Sequence, residues 1–163
     1  MTANSAPLVV VTANGLYCPP GDFHIDPWQP VQTAVITHGH GDHLRHGSAR
    51  YILARPGAGI ARQRLGGDRE LAPAEYGTPI TLGTTTVSLH PAGHILGSSQ
   101  VRIEHEGCVW VVSGDYKRQP DPTCAPFEPV ECDVFISEAT FALPVYRWPE
   151  TSRVVAEIGR AHV

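Results

Sequence analysis

Short apolar runs, separated by glycine, proline and polar residues, dominate the chain and predict many short β-strands rather than long helices. Polar and apolar residues alternate over 86–89 and 100–106, as expected for half-buried strands. More continuous apolar runs predict further strands. These runs cover 8–11, 34–36, 51–54, 108–112 and 132–137.

Helical signals are fewer. Residues 55–65 are predicted to be helical because Gly66 and Gly67 follow as a stop signal. A second, short helix is predicted from Asp42 to Arg50. Residues 80–90 are expected to form a hairpin-like pair of strands around Gly83.

Composition favours one globular domain. The chain has 163 residues, of which 42% are apolar and 17% charged, and it carries 16 glycines and 15 prolines. Its net charge of −4 does not predict a basic surface for charge-driven nucleic-acid binding. A metal centre can still hold a phosphate by itself.

Cysteine usage and hydropathy indicate a cytoplasmic protein. None of the four cysteines forms a C-x-x-C pair, and no signal peptide is recognisable, so the thiols are expected to stay reduced. No apolar run approaches the length needed to cross a bilayer, and no membrane partner is expected.

The densest chemistry follows the apolar run 34–36, in the sequence Thr37-His38-Gly39-His40-Gly41-Asp42-His43. On an extended chain, His38 and His40 project to one side because they are two residues apart. Asp42 and His43 would point elsewhere, which suits a second metal ion. A polar turn with surface histidines is the alternative, but four potential ligands within six residues favour a metal site.

Three other candidate residues also follow predicted strands. His94 lies among small residues in 91–99, which would let a bulky substrate approach. Asp115 follows 108–112, and its carboxylate can bridge two cations; the alternative is an exposed turn acid. Glu138 directly follows 132–137.

Two assignments stay open on the residues alone. Asp26 precedes Pro27, so it is either a turn cap or a carboxylate that fixes the tautomer of a metal-bound imidazole. The segment Tyr146-Arg147-Trp148 is either a packed connector or a platform that stacks a nucleic-acid base.

These motifs in order, H-x-H-x-D-H, A-G-H-x-L-G-S, S-G-D-Y and E-A-T-F, resemble the nucleic-acid-processing (β-CASP, Artemis-like) branch of the metallo-β-lactamase superfamily. Residues 15–21, 113–117 and 143–149 are most similar to bacterial ligase-associated DNA exonucleases, which are described as mRNA 3′-end processing factor-like. The resemblance covers nearly all of 8–150 and implies an α/β (α+β) fold, the αββα sandwich.

The resemblance also implies a set of site residues. His38, His40 and His94 match the ligands of a first zinc, Asp42 and His43 match ligands of a second, and Asp115 matches the bridging carboxylate. Asp26 matches the acid behind the ligands. Glu138 matches an acid near the substrate phosphate, so Asp42, Asp115 and Glu138 are the expected catalytic residues.

The implied function is a metal-dependent phosphodiesterase. It would be a DNA exonuclease in repair, acting with an ATP-dependent DNA ligase and a helicase, in which a hydroxide held by two Zn²⁺ attacks phosphorus. Manganese could replace zinc, and DNA is favoured over RNA. The alternatives are an RNA-processing nuclease, a thioesterase-like or lactamase-like hydrolase, and an inactive scaffold subunit.

Length is where the chain departs from the resemblance. Members of that group are well over twice as long and carry a cap domain and a late histidine for the second zinc, whereas only His162 follows Glu138 here. Residues 1–156 are therefore expected to be the N-terminal portion of the domain, and 157–163 an artefactual tail. The 163-residue chain is expected to be inactive as a nuclease.

Overall fold

A computed structural model of the chain has two β-sheets that pack face to face. The structure describes residues 6–67, 69–147 and 149–161, and it describes no side chain for 151 or 159–161. None of the described helices is long and apolar enough to cross a membrane.

The first sheet has six strands that lie side by side in chain order. These are β1 (Val10–Thr12), β2 (Gly15–Cys18), β3 (Phe23–Ile25), β4 (Thr33–Ile36), β5 (Arg50–Ala54) and β6 (Glu70–Ala74). Strands β1 to β3 pair antiparallel, whereas β3 to β6 pair parallel. The strands that precede Asp26 and the histidine loop are β3 and β4, so both loops leave the same edge of the sheet.

The second sheet has five strands in the order β11-β10-β9-β8-β7. These are β7 (Ile80–Leu82), β8 (Thr85–Pro91), β9 (Ser99–His105), β10 (Cys108–Val112) and β11 (Val134–Ile136). Pairing is antiparallel except between β10 and β11. Strands β8, β10 and β11 therefore run in one direction, and His94, Asp115 and Glu138 follow their carboxyl ends.

The main core lies between the sheets. Ile25, Val35 and Ile52 of the first sheet pack with Leu89 and Val101 of the second, and each of these side chains is almost fully buried. Burial of apolar surface of this kind, at about 25 cal/mol per Å², is the main stabilising contribution that the two sheets make to each other.

A smaller core covers the other face of the first sheet. Ile36 and Tyr51 point away from the second sheet and pack with Ala61 and Leu65 of helix α1 (Ala58–Leu65). The expected α/β (α+β) sandwich is confirmed, with α1, the first sheet and the second sheet as successive layers. A second helix, α2 (Thr151–Ala161), contains part of the expected artefactual tail, while His162 lies outside the described residues.

The helix predicted from Asp42 to Arg50 is wrong. Only one turn forms, closed by the Leu44 N–H donating to the His40 carbonyl at 2.8 Å. The backbone then bonds elsewhere, because the Tyr51 hydroxyl accepts from the Ser48 N–H and donates to the Arg45 carbonyl. The predicted helix over 55–65 is confirmed as α1, preceded by a 3-10 turn at Arg55–Gly57.

Candidate metal centre

Three histidines, from loops that follow strands of the two sheets, meet where the carboxyl ends of those strands lie side by side. The Nε2 atom of His38 lies 3.0 Å from Nδ1 of His40, and Nε2 of His94 lies 3.3 Å from the same Nδ1. The loop after β4 supplies His38 and His40, and the loop after β8 supplies His94. The sequence predicted that these side chains converge but gave no indication of which nitrogen each one presents.

Asp115 completes this group from the loop after β10. Its Oδ2 atom lies 3.8 Å from Nε2 of His38 and 3.8 Å from Nε2 of His94. One donor atom from each of His38, His40, His94 and Asp115 lies within 4.8 Å of the other three. Three imidazoles and a carboxylate around one point are a donor set that suits tetrahedral zinc, so these residues fit a metal ion.

A second group lies on the other side of Asp115. Its Oδ1 atom is 3.5 Å from Nε2 of His43, and Oδ2 of Asp42 is 3.6 Å from that same nitrogen. The Asp42 side chain is 73% exposed, so this side opens to solvent. The two oxygens of Asp115 thus face two different sets of donors, as a bridging carboxylate would.

Burial favours the neutral imidazole in two residues of the first group, His38 and His94. It lowers the pKa of His38 to about 2, with a further contribution from the charges that His43, His94 and His40 would carry if protonated. Burial also lowers the pKa of His94, although the Asp115 carboxylate opposes this. A neutral imidazole offers a lone pair, which metal binding requires.

The pKa of His43 is shifted in the opposite direction, above the ordinary histidine value. Burial lowers its pKa, but the hydrogen bond to Asp26 and the charges of Asp26, Asp115 and Asp42 outweigh that effect and raise it. His43 therefore holds a proton at a higher pH than His38 or His94, and a metal ion on its Nε2 side has to compete with that proton.

Asp26 lies directly behind the histidine loop. It has a positive φ of 43°, and its Oδ1 accepts from the Thr37 N–H at 2.8 Å. Its Oδ2 lies 2.7 Å from Nδ1 of His43. An ionised carboxylate can only accept, so His43 carries its proton on Nδ1 and presents Nε2 to the metal side. These contacts suit the second interpretation of Asp26, and its role in fixing the tautomer of a metal-bound imidazole stays a prediction.

Thr37 extends the same arrangement to His38, a role that sequence reasoning missed. Its hydroxyl donates to Oδ2 of Asp26 at 2.5 Å and lies 3.1 Å from Nδ1 of His38. Because the hydroxyl proton points at Asp26, the oxygen can only accept from His38 Nδ1–H. His38 therefore presents Nε2 to the metal side. The only sequence signal was the position of Thr37 directly before the cluster.

Gly114 shows how closely the two sheets approach behind the ligands. Its φ is +55°, and a Cβ at this position would lie 2.6 Å from Cβ of Thr37. Ser99 of β9 ties the sheets together at the same place, with its N–H donating to the Thr37 carbonyl at 2.8 Å. Thr37 and Asp115 are thereby held in fixed relation.

Two small residues of the His94 loop, Gly97 and Ser98, have packing roles that the sequence did not show. The Ser98 hydroxyl accepts from the backbone N–H of His94 at 3.0 Å, which closes the loop. Gly97 has a φ of +80°, and a Cβ there would lie 2.3 Å from Cα of Gly57. The expectation that these small residues leave space for substrate does not hold at Gly97, whose missing side chain makes room for the turn before α1.

Glu138 lies at the mouth of the site rather than among the donors. A cleft of about 460 Å³ is lined by Asp42, His43, Arg45, Asp115 and Glu138 together with apolar residues from both sheets. The Oε2 atom of Glu138 accepts from the Thr140 N–H at 3.0 Å. The position suits contact with a substrate, and a catalytic role for Glu138 stays a prediction.

Two further groups of residues lie outside this cluster. His90 hydrogen-bonds to Ser88 at 3.0 Å and to Glu128 at 3.0 Å, so its ring is held by protein partners away from the metal centre. Tyr146 meets the Phe141 ring edge-on at 5.2 Å. Trp148 lies outside the described residues, so the base-stacking platform stays a prediction.

Comparisons with known proteins agree with this fold and site. A probable DNA ligase of Opitutus terrae is 32% identical over 155 residues, which is 93% of this chain and 15% of that protein. A ribonuclease of Thermus thermophilus is 36% identical over 90 residues, covering 54% of this chain and 21% of its own length. The chain thus spans about a fifth or less of either relative. No family model matches it.

A metallo-β-lactamase mutant from Cronobacter sakazakii shows the same fold, with a TM-score of 0.52 and 14% identity over 66% of this chain and 58% of that one. Together, the fold, the histidine–aspartate cluster and the ligase and nuclease relatives agree. The chain has the metallo-β-lactamase fold, and its ligase and nuclease relatives support the resemblance to the nucleic-acid-processing branch of that superfamily.

Proposed function

We propose that this chain belongs to a zinc-dependent DNA exonuclease that hydrolyses phosphodiester bonds with two metal ions. The observation that carries the proposal is Asp115, whose Oδ2 faces His38 and His94 while its Oδ1 faces His43. A carboxylate shared between two donor sets is the arrangement that a two-metal hydrolytic site requires.

The chain's own residues would divide the work as follows. His38, His40 and His94 would hold one ion, Asp42 and His43 would hold the other, and Asp115 would contact both. When bound, such a pair of ions lowers the pKa of a water molecule and offsets the charge on a phosphoryl group. Asp26 and Thr37 would keep the ring protons on Nδ1, so that His43 and His38 present Nε2 lone pairs.

Glu138 would act on the substrate side of this centre. It lines the cleft with Asp42 and Asp115, at a position open to solvent where a phosphodiester could enter. We therefore assign Glu138 a role in positioning the substrate.

The choice of DNA rests on the Opitutus relative. That protein is named a probable DNA ligase, and the chain matches a segment that makes up 15% of it. A nuclease linked to a ligase would trim DNA ends before they are joined. We propose that the chain acts in repair beside an ATP-dependent ligase, with a helicase as a further partner.

RNA hydrolysis is the second candidate. The Thermus relative is named a ribonuclease and is 36% identical over 90 residues. The Opitutus protein is 32% identical over 155 residues, so the Thermus match is shorter but slightly more similar. The metal loops themselves do not distinguish the two substrates, because both contain the same phosphodiester group.

A labelled-oligonucleotide assay tests the proposal. DNA and RNA strands of one sequence, labelled at the 5′ or 3′ end, are incubated with the whole exonuclease of which we propose this chain is a part and either Zn²⁺ or Mn²⁺, with Asp115→Asn as the control. Stepwise shortening of DNA from one end, lost in the control, is the expected result. Cleavage of RNA alone would favour the second candidate, and hydrolysis of a thioester without any strand cleavage would overturn both.

A further inference from the structure

Positive charge is concentrated in one segment of an otherwise acidic chain. Residues 45–69 contain six of the twelve basic residues, Arg45, Arg50, Arg55, Arg62, Arg64 and Arg69, and a single acid, Asp68. The net charge of −4 hides this asymmetry, because averaging over the whole chain removes the local field that a ligand would experience.

Only some of these arginines have acidic partners. Arg50 pairs with Glu70 at 3.1 Å, and Arg55 pairs with Glu75. Arg45, Arg62 and Arg64 are exposed, and no carboxylate of the described residues lies within ion-pair distance of them. Their guanidinium groups are therefore available to an anion from outside the chain.

Arg64 is held against the histidine loop by the packing of α1. Ala61 and Leu65 are buried against the first sheet, which leaves Arg62 and Arg64 at the surface. A Cβ placed on Gly41 would lie 3.5 Å from the Arg64 guanidinium. Arg64 therefore covers the glycine that directly precedes Asp42.

Arg45 reaches the same loop from the following turn. Its Nε–H donates to the Asp42 carbonyl at 3.1 Å, and its side chain lines the cleft that also contains Asp115 and Glu138. Two guanidinium groups, from Arg64 and Arg45, thus lie beside the backbone of Gly41 and Asp42. No sequence periodicity connects them, because the fold brings α1 and the turn together.

We infer that Arg45 and Arg64 form a phosphate-binding surface that holds the backbone of a nucleic-acid strand beside the metal centre. The inference rests on the proposed nuclease function and names the surface through which the strand is held. Arginine suits this task because its planar guanidinium can donate two parallel hydrogen bonds to one phosphate. Two exposed guanidinium groups beside one loop can contact more than one phosphate of a strand.

Binding as a function of salt concentration tests the inference without any catalytic step. The probe is a fluorescently labelled single-stranded DNA oligonucleotide of about 20 nucleotides, with EDTA present so that it is not cut. Arg45→Gln and Arg64→Gln remove charge at the proposed surface. Arg102→Gln is the matched control, because Arg102 lies on β9, points away from the main core and pairs with Glu104.

We expect each test variant to weaken binding about 3–10-fold at low salt, and to reduce the slope of log affinity against log salt by about 0.7–1, as expected when one phosphate contact is lost. Arg64→Lys should restore most of the slope, and Arg102→Gln should match the unmodified chain. Zinc content measured on each variant shows whether the loop is intact.

The outcomes distinguish a failure of the proposed arginine surface from a failure of the proposed nuclease function. Unchanged slopes in Arg45→Gln and Arg64→Gln would overturn the inference, as would weaker binding with an unchanged slope or an equal loss in Arg102→Gln. Salt-dependent binding that needs the two arginines, together with no strand hydrolysis by the whole exonuclease in the labelled-oligonucleotide assay, would support the surface and count against the proposed nuclease function.

Discussion

The two halves of the metal centre share the loop after β4, yet their histidines have different surroundings. In the first half, donor atoms of His38, His40, His94 and Asp115 lie within 4.8 Å of one another, and burial lowers the pKa of His38 to about 2. In the second half, carboxylates raise the pKa of His43, and the Asp42 side chain is 73% exposed.

The difference follows from where each side chain points. His38 follows a buried strand and is itself buried, and the histidines around it lower its pKa further. His43 comes after a tight turn and faces Asp26, Asp42 and Asp115. His38 therefore stays neutral to a lower pH than His43 does, so a metal ion in the second half competes with a proton at higher pH than one in the first half.

Asp115→Ala should have the largest effect, because this side chain alone belongs to both halves. Both ions lose an anionic ligand, so we expect affinity to fall by more than about 100-fold at both positions, beyond the 10–100-fold typical of residues behind the ligands. Zinc content after dialysis is the measurement. A variant that keeps two zinc ions would contradict the bridging role.

Single-ligand variants should separate the halves. His40→Ala removes a donor from the first half and should weaken binding there, because one of its four protein donors is lost. His43→Ala should leave the first half loaded, with about one zinc per chain at neutral pH, given that three protein ligands suffice for zinc. The comparison fails if His43→Ala lowers zinc content more than His40→Ala does.

Changes behind the ligands should be smaller and should differ between the halves. Thr37→Val keeps the shape but removes the hydroxyl that accepts from His38, so we expect about a 10-fold weaker first site. Asp26→Asn alters the contact to His43 directly and should weaken the second site by about 10–100-fold. Thr37→Ser is the control, since it keeps the hydroxyl.

NMR spectra of the imidazole nitrogens give an independent measurement on the same variants. We expect protons on Nδ1 of both His38 and His43 in the unmodified chain. Thr37→Val should change the tautomer balance of His38 only. Loss of the His43 signal pattern in Thr37→Val would show that the two halves are not separately controlled.

The sequence predicted the strands and the converging loops because both depend on local pattern. The apolar run before His38 specifies β4, and residues after parallel strands must meet at one edge. The sequence could not predict the tautomers of His38 and His43, because these depend on partners distant in the chain. Asp26 is 11 residues before Thr37 and 17 before His43.

Two other failures have physical causes of the same kind. The helix predicted from Asp42 failed because the Tyr51 hydroxyl, from the next strand, supplies hydrogen bonds that a helix would have made internally. The sequence did not predict the arginine surface, because the net charge of the chain does not say where its charged residues lie in the fold. Arg64 comes close to Gly41 only after α1 packs on the sheet.

Metal content as a function of pH tests the central claim most directly, namely that the two halves bind metal with different proton competition. A raised pKa means that His43 gains its proton while pH is still above the ordinary histidine value of about 6.5, whereas His38 and His94 stay neutral at lower pH. The chain is loaded with zinc at pH 8 and equilibrated at steps down to about pH 5, with His43→Ala treated in parallel. The account predicts a first loss near or above pH 6.5 that is absent from His43→Ala, followed by a second loss at lower pH in both proteins. Release of all zinc in a single step, or an early loss that persists in His43→Ala, would contradict it.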